Sequence, residues 1–171
     1  MIIKALSHPF LALLLTIPVS LTACSQDDTR TPQALEQLTT TKECRGCDLT
    51  GVNLSNANLE GAKLNKANLS RANLEGVNFR GAILDQANLS GANLSQADLT
   101  QAAMTQADLS ESNLTGAKLI GAYVQGAILS GANLEQTDFT DANLLGITVN
   151  PSDLEQTTLK NAILPDGTVH P

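Results

Sequence analysis

The sequence predicts an all-β solenoid, and three observations carry that reading. A five-residue phrase, small then polar then leucine then polar then glycine or polar, runs without insertion or deletion from Cys47 to Asp166. Its third position is Leu49, Leu54, Leu59 and onward to Leu164, and in 24 pentads it is never polar. Its first position is Ala in 16 of the 24; the rest are Cys47, Val52, Val77, Ser112, Thr137, Ile147, Ser152 and Thr157, all small or β-branched. A period of five fits neither the 3.6-residue helix nor the two-residue strand, either of which would smear the leucines over several faces. It fits a coil that advances a short extended segment, turns a corner and repeats, with positions one and three inside. Fixed repetition of this kind marks a stack in which each unit touches only its neighbours.

The pentads Ala57-Asn58-Leu59-Glu60-Gly61, Ala92-Asn93-Leu94-Ser95-Gln96 and Ala132-Asn133-Leu134-Glu135-Gln136 resemble the A(D/N)LXX motif of the pentapeptide repeat family, over about 120 of 171 residues. The resemblance implies a right-handed quadrilateral β-helix, with four pentads per twenty-residue coil and hence six coils. Stacking at that spacing sets Glu60 below Arg80 and Lys118 between Asp98 and Asp138, although Glu135 then lies below Glu155. It also aligns Asn53, Asn73, Asn93, Asn113, Asn133 and Asp153 on one face, as stacked amides would want. At a strand spacing of about 4.8 Å, six coils make a rod roughly 25 to 30 Å long. Each buried leucine contributes about 1.5 to 3 kcal/mol before entropy is charged against it, so the coils are stable only collectively.

The first forty residues differ. Lys4 precedes a mostly apolar stretch, Ala5 to Val19, interrupted by Pro9 and Pro18 and closed by Leu21-Thr22-Ala23-Cys24. Residues 1–23 read as an export signal, too short and proline-broken to span a bilayer. The closing residues resemble the lipobox of bacterial lipoproteins, which implies cleavage before Cys24, lipidation of that thiol and a membrane anchor; an ordinary signal with an incidental cysteine is the alternative. Residues 24–31 form the lipidated end and a tether. Thr31 as N-cap and Pro32 at the first helical position open a short N-terminal capping α-helix, with its turn, over 32–46; Ala34, Leu35 and Leu38 cover the first coil. Residues 47–166 form the β-helix. Residues 167–171 are the C-terminal cap and tail, where Pro165-Asp166-Gly167 turns and Val169 folds over the last coil.

With Cys24 assigned to lipid, Cys44 and Cys47 remain as a Cys-Arg-Gly-Cys pair. In an exported chain they can close a small disulfide that clips the cap. Thiol redox chemistry is the alternative, and a metal site lacks two further ligands. No catalytic constellation is apparent: His170 is the sole histidine beyond the signal, and the row Thr50, Ser70, Ser90, Ser110, Ser130 has no adjacent base and reads as a structural ladder. Neither cofactor nor metal is expected, and the chain does not read as an enzyme. The net charge is −7. Beyond Arg80, only Lys118 and Lys160 face ten acidic residues, which argues against contact with nucleic acid and turns the acidic tip away from an anionic membrane.

Function is most legible in the exceptions. Nine pentads lack Asn or Asp at the second position: Lys63, Ile83, Ala103, Lys118, Tyr123, Ile128, Thr148, Thr158 and Ile163. The twenty-residue coil places Lys63, Ile83, Ala103, Tyr123 and Ile163 on one face. Leu145 points outward there, and Ile120 and Ile128 lie on adjoining walls. A contiguous apolar strip on a hydrophilic rod marks a contact surface for a partner protein, a second copy or a membrane. The leading reading is a noncatalytic, lipid-anchored scaffold or binding module outside the cytoplasm, in a periplasm or, by resemblance to exported cyanobacterial members, a thylakoid lumen. One alternative, also from family resemblance, is an acidic rod that mimics DNA and binds a type II topoisomerase. The other is a redox protein centred on Cys44 and Cys47.

Overall fold

The computed structural model describes residues 30–171, with side chains from Pro32 onward. The proposed signal 1–23 and Cys24 lie outside the described residues. The architecture follows from where one pentad sends its five backbone N–H groups. In residues 92–96, Leu94 N–H donates to the Asn113 carbonyl at 2.7 Å and Gln96 N–H to that of Thr115 at 2.9 Å, both in the next coil. Asn93 N–H donates to Ala72 in the preceding coil at 2.9 Å, and Ala92 N–H closes a turn on Leu89 at 3.0 Å. That leaves position four, Ser95, whose N–H donates to Oδ1 of Asn93 at 3.2 Å. The same bond is made by every second-position Asn or Asp from Asp48 to Asn143. The repeat's asparagine is therefore a backbone cap, satisfying a donor that the ladder cannot reach.

Position five carries positive φ, as at Gly91 (63°) and Gln96 (59°), which favours glycine, and its exposure at the corner accounts for the polar residues found there. A single positive-φ residue third in the corner is the signature of a type II turn.

Parallel bridges join second positions twenty residues apart and define four walls. The first runs from Asp48 to Thr148, the second from Asn53 to Asn133, the third from Asn58 to Thr158 and the fourth from Glu43 to Ile163. From Ala62 to Leu144 every first and third residue is buried, forming one continuous core. Polar first positions are reconciled with that core by bonding carbonyls: Ser112 Oγ to Leu109 at 2.7 Å and Thr137 Oγ to Leu114 at 2.9 Å.

Several expectations need correction. The ladder begins one pentad early: Glu43 bridges Lys63, and fully buried Cys44 fills a leucine position, so 42–46 belongs to the column and not to a turn before it. The asparagine row stops at Asn133. Residues Pro151–Gln156 form a 3-10 helix, η1, which contains Asp153 and Glu155. Its cause is Pro151 at position five, where φ near −65° and a missing N–H defeat the corner. Leu154 still points inward and the register survives, since Asp138 bridges Thr158. Amide bonds link only part of the row, Asn93 to Asn73 at 3.4 Å and Asn113 to Asn93 at 3.3 Å. Arg80 pairs with Asp98 at 3.2 Å rather than with Glu60, and Lys118 joins neither ion pair found among the described residues.

At the N-terminal end, α1 spans Arg30–Thr41, so Thr31 lies inside the helix and is not its N-cap. Pro32 sits in the first turn, whose N–H groups lack helical partners anyway. Ala34 and Leu38 are buried in the same cluster as Cys44 and Leu49. Hydroxyls of Thr39, Thr40 and Thr41 bond back to carbonyls four residues earlier, and Lys42 ends the helix with positive φ (56°). At the other end Val169 does not fold over the last coil: it pairs antiparallel with Ile163 and stays exposed. The hairpin covers the free edge of the fourth wall.

Removing the amide in Asn93→Ala deletes the cap on Ser95 and two stacking bonds, and should cost about 1 to 2 kcal/mol in urea unfolding. Tyr123→Asn supplies an acceptor to its own position four and should leave stability equal or higher; a large loss there would contradict the capping account. Burial opposes ionisation of Asp98, but bonds from Thr100 and Arg80 outweigh it and hold the carboxyl below its usual range. The bond from Lys63 lowers Glu43, and that from Thr168 lowers Asp166. A carboxyl lowered by folding stabilises above its unfolded pKa, and that stabilisation is lost as pH falls through the folded value, on the acid side of the ordinary carboxylate range. Asp98→Asn keeps the Oδ1 acceptor, so it should flatten the acid limb of the stability profile; an unchanged limb would refute the assignment.

Candidate functional site

The fourth wall stacks Lys63, Ile83, Ala103, Tyr123, Asn143 and Ile163 in one bridged row, so only Asn143 keeps the cap. Where the cap is missing, position four must find another acceptor or remain open. Thr105 N–H takes Asp85 Oδ1 from the coil below at 2.9 Å, and Pro165 has no N–H to satisfy. Around Tyr123 three consecutive pentads, those of Lys118, Tyr123 and Ile128, abandon the cap. Among the described residues, the N–H groups of Ile120, Gln125 and Ser130 have no protein acceptor. One coil thus combines exposed aliphatic and aromatic side chains with open backbone donors.

The predicted contact residues divide accordingly. Tyr123 is 58% exposed, Ile128 42% and Leu145 37%; Ile83, Ala103, Ile120 and Ile163 are half-buried. Lys63 ion-pairs with Glu43 at the N-terminal end of the wall, one coil below Ile83. Sequence reasoning put Val169 in the cap and not on this wall; the hairpin after the Pro-Asp-Gly turn sets it, 64% exposed, beside Ile163. It also missed an apolar recess of about 490 Å³ at the C-terminal end, lined by Ile147, Val149, Leu154, Leu159 and Leu164. It is the uncovered end of the last coil, whose inward residues Val149, Leu154, Leu159 and Leu164 meet no further coil.

Cys44 and Cys47 form a disulfide across the corner between the fourth and first walls, next to α1. The hydroxyls of Thr50 and Ser90 donate to the Asp48 and Asn88 caps of their own pentads, and among the described residues no hydroxyl bond joins that row from coil to coil. His170 Nδ1 lies 3.1 Å from the Pro171 carbonyl. Among the described residues no cluster of His, Cys, Asp or Glu is spaced to hold a metal ion, and no helix is long and apolar enough to cross a membrane.

Comparison with known proteins agrees with this geometry. The family model for pentapeptide repeats matches residues 43–81, 82–121 and 117–150, starting where the bridges start. A pentapeptide repeat protein of the Arabidopsis thaliana thylakoid lumen is 36% identical over 63% of this chain and 72% of its own, with a TM-score of 0.57. Rfr23 of the cyanobacterium Cyanothece 51142 is 32% identical over 74% of this chain and 97% of its own, with a TM-score of 0.46. The full-length plasmid-mediated fluoroquinolone resistance protein QnrB1 is similar in fold, with 22% identity, coverage of 71% of this chain and 65% of its own, and a TM-score of 0.64. No curated protein sequence matches. The fold implied by the family model, the lumenal protein and QnrB1 is the right-handed quadrilateral β-helix, and with four bridged walls, a twenty-residue coil and a family model covering most of the column, the chain belongs to the pentapeptide repeat family.

Proposed function

We propose that the chain is a noncatalytic scaffold that binds a partner protein through its fourth wall, held outside the cytoplasm by a lipid on Cys24. The carrying observation is the concentration of uncapped, apolar second positions on that wall and in the coil of Tyr123, while the second wall, from Asn53 to Asn133, keeps asparagine throughout. At Ile83, Tyr123 and Ile128 an asparagine would satisfy the backbone donor of Asp85, Gln125 or Ser130. Its replacement by Ile83, Tyr123 and Ile128 therefore gives up local stability for exposed apolar surface, which is the exchange expected of a contact site. On this reading α1 and the disulfide close the membrane-proximal end of the column, and the acidic distal coils project away from an anionic surface. The lumenal setting of the 36% identical relative supports an exported location.

Mass spectrometry of the membrane fraction should find a mature chain that begins at an acylated Cys24; an unprocessed, unacylated chain would remove the anchor. Replacing Ile83 and Tyr123 together with Asn should abolish association, measured by sedimentation or crosslinking in membranes, without lowering the melting temperature. Undiminished association would remove the contact wall.

A further inference from the structure

The geometry points to the recess beside Tyr123 as the seat of a basic side chain, arginine or lysine, presented by the partner polypeptide; this rests on the contact-wall reading above. The recess has a volume of about 560 Å³ and is bounded by Gln101, Gly121, Tyr123, Asp141, Asn143 and Ile163. It exists because the corner column runs Gln101, Gly121, Asp141: the glycine withholds a side chain between two polar ones and leaves space alongside the ring. Asp141 takes positive φ (57°) there, and Asn161 Nδ2 donates to its Oδ1 at 3.0 Å, which orients the carboxylate. Lys160 gives Asp141 only its backbone carbonyl, at 2.8 Å. Among the described residues no basic side chain pairs with Asp141, since the two ion pairs are Glu43 with Lys63 and Arg80 with Asp98.

An exposed tyrosine face beside an oriented, unneutralised carboxylate attracts a cation twice, through the ring quadrupole and through charge. Gln101 adds an amide oxygen. The surrounding coils strengthen the preference, because beyond Arg80 the chain has ten acidic residues against Lys118 and Lys160. An apolar partner segment alone would leave the Asp141 carboxylate desolvated without a counter-charge. A segment with one basic residue among aliphatic ones satisfies both the carboxylate and the strip of Ile83, Ala103 and Ile163. Arginine is the better fit, since its planar guanidinium stacks on an aromatic ring while donating to a carboxylate.

The chain has one tyrosine and no tryptophan, so its intrinsic emission reports on Tyr123 alone. The test titrates the full chain with three acetylated, amidated hexapeptides of small aliphatic residues, identical except for a central arginine, citrulline or leucine. The arginine peptide should change the emission saturably and bind at least about fivefold more tightly than the other two. That preference should shrink with added salt and vanish in Asp141→Asn. Equal binding of the leucine or citrulline peptide would keep the contact wall and overturn the basic-side-chain assignment, as would an undiminished preference in Asp141→Asn. Absence of any response to the arginine peptide would overturn the assignment; combined with undiminished association of the Ile83 and Tyr123 double variant, it would remove the wall as well.

Discussion

The structure depends on one backbone donor per pentad that no neighbouring strand can reach. Positions two, three and five bond to the coils above and below, and position one bonds across the corner, but position four turns outward at the start of the turn. A carboxamide or carboxylate two residues earlier folds back to accept it, and often accepts the position-four hydroxyl as well, as Asn93 does from Ser95 and Asn113 does from Thr115. The polar face of the repeat is therefore structural. It also explains why the column tolerates so many surface substitutions at positions four and five yet returns to Asn or Asp at position two.

The core adds a second constraint of a different kind. Alanine and leucine alternate into a column whose walls are set at a fixed separation, so volume is limited and polarity is admitted only with a partner in hand, as at Ser112 and Thr137. The two ends of the column lack the neighbours that satisfy its middle. At the N-terminal end, α1 brings Ala34 and Leu38 onto the core and the disulfide clips the first corner. At the C-terminal end a proline turns the second wall into η1, and a hairpin pairs with the last residue of the fourth. The last residue of the fourth wall is thus paired, while the core stays open at the C-terminal end.

On the proposed reading, function comes from breaking the capping rule. Each abandoned cap frees a surface position for a side chain that does not serve the backbone, and three abandoned in succession around Tyr123 concentrate that freedom in one coil. The stability given up there is small beside the cooperative burial of the column, which is why a contact surface can be written onto such a fold without endangering it.

The sequence alone determined the solenoid and the inward positions, because both depend on spacing, and spacing survives in one dimension; the twenty-residue coil came with the family resemblance, and membership of the deviant wall follows from that coil. Lys63, Ile83, Ala103, Tyr123 and Ile163 could be assigned to one face by counting. It did not reveal that the asparagines cap position four, that Cys44 stands in for a leucine, or that Pro151 diverts a wall, although Pro151 at position five was a readable signal. Only the tertiary structure decided which charges meet, where Val169 goes and that a recess lies beside Tyr123. Those outcomes depend on the direction of side chains at corners and on the absence of a neighbour at the ends, and a repeating pattern carries no information about where its own repetition fails.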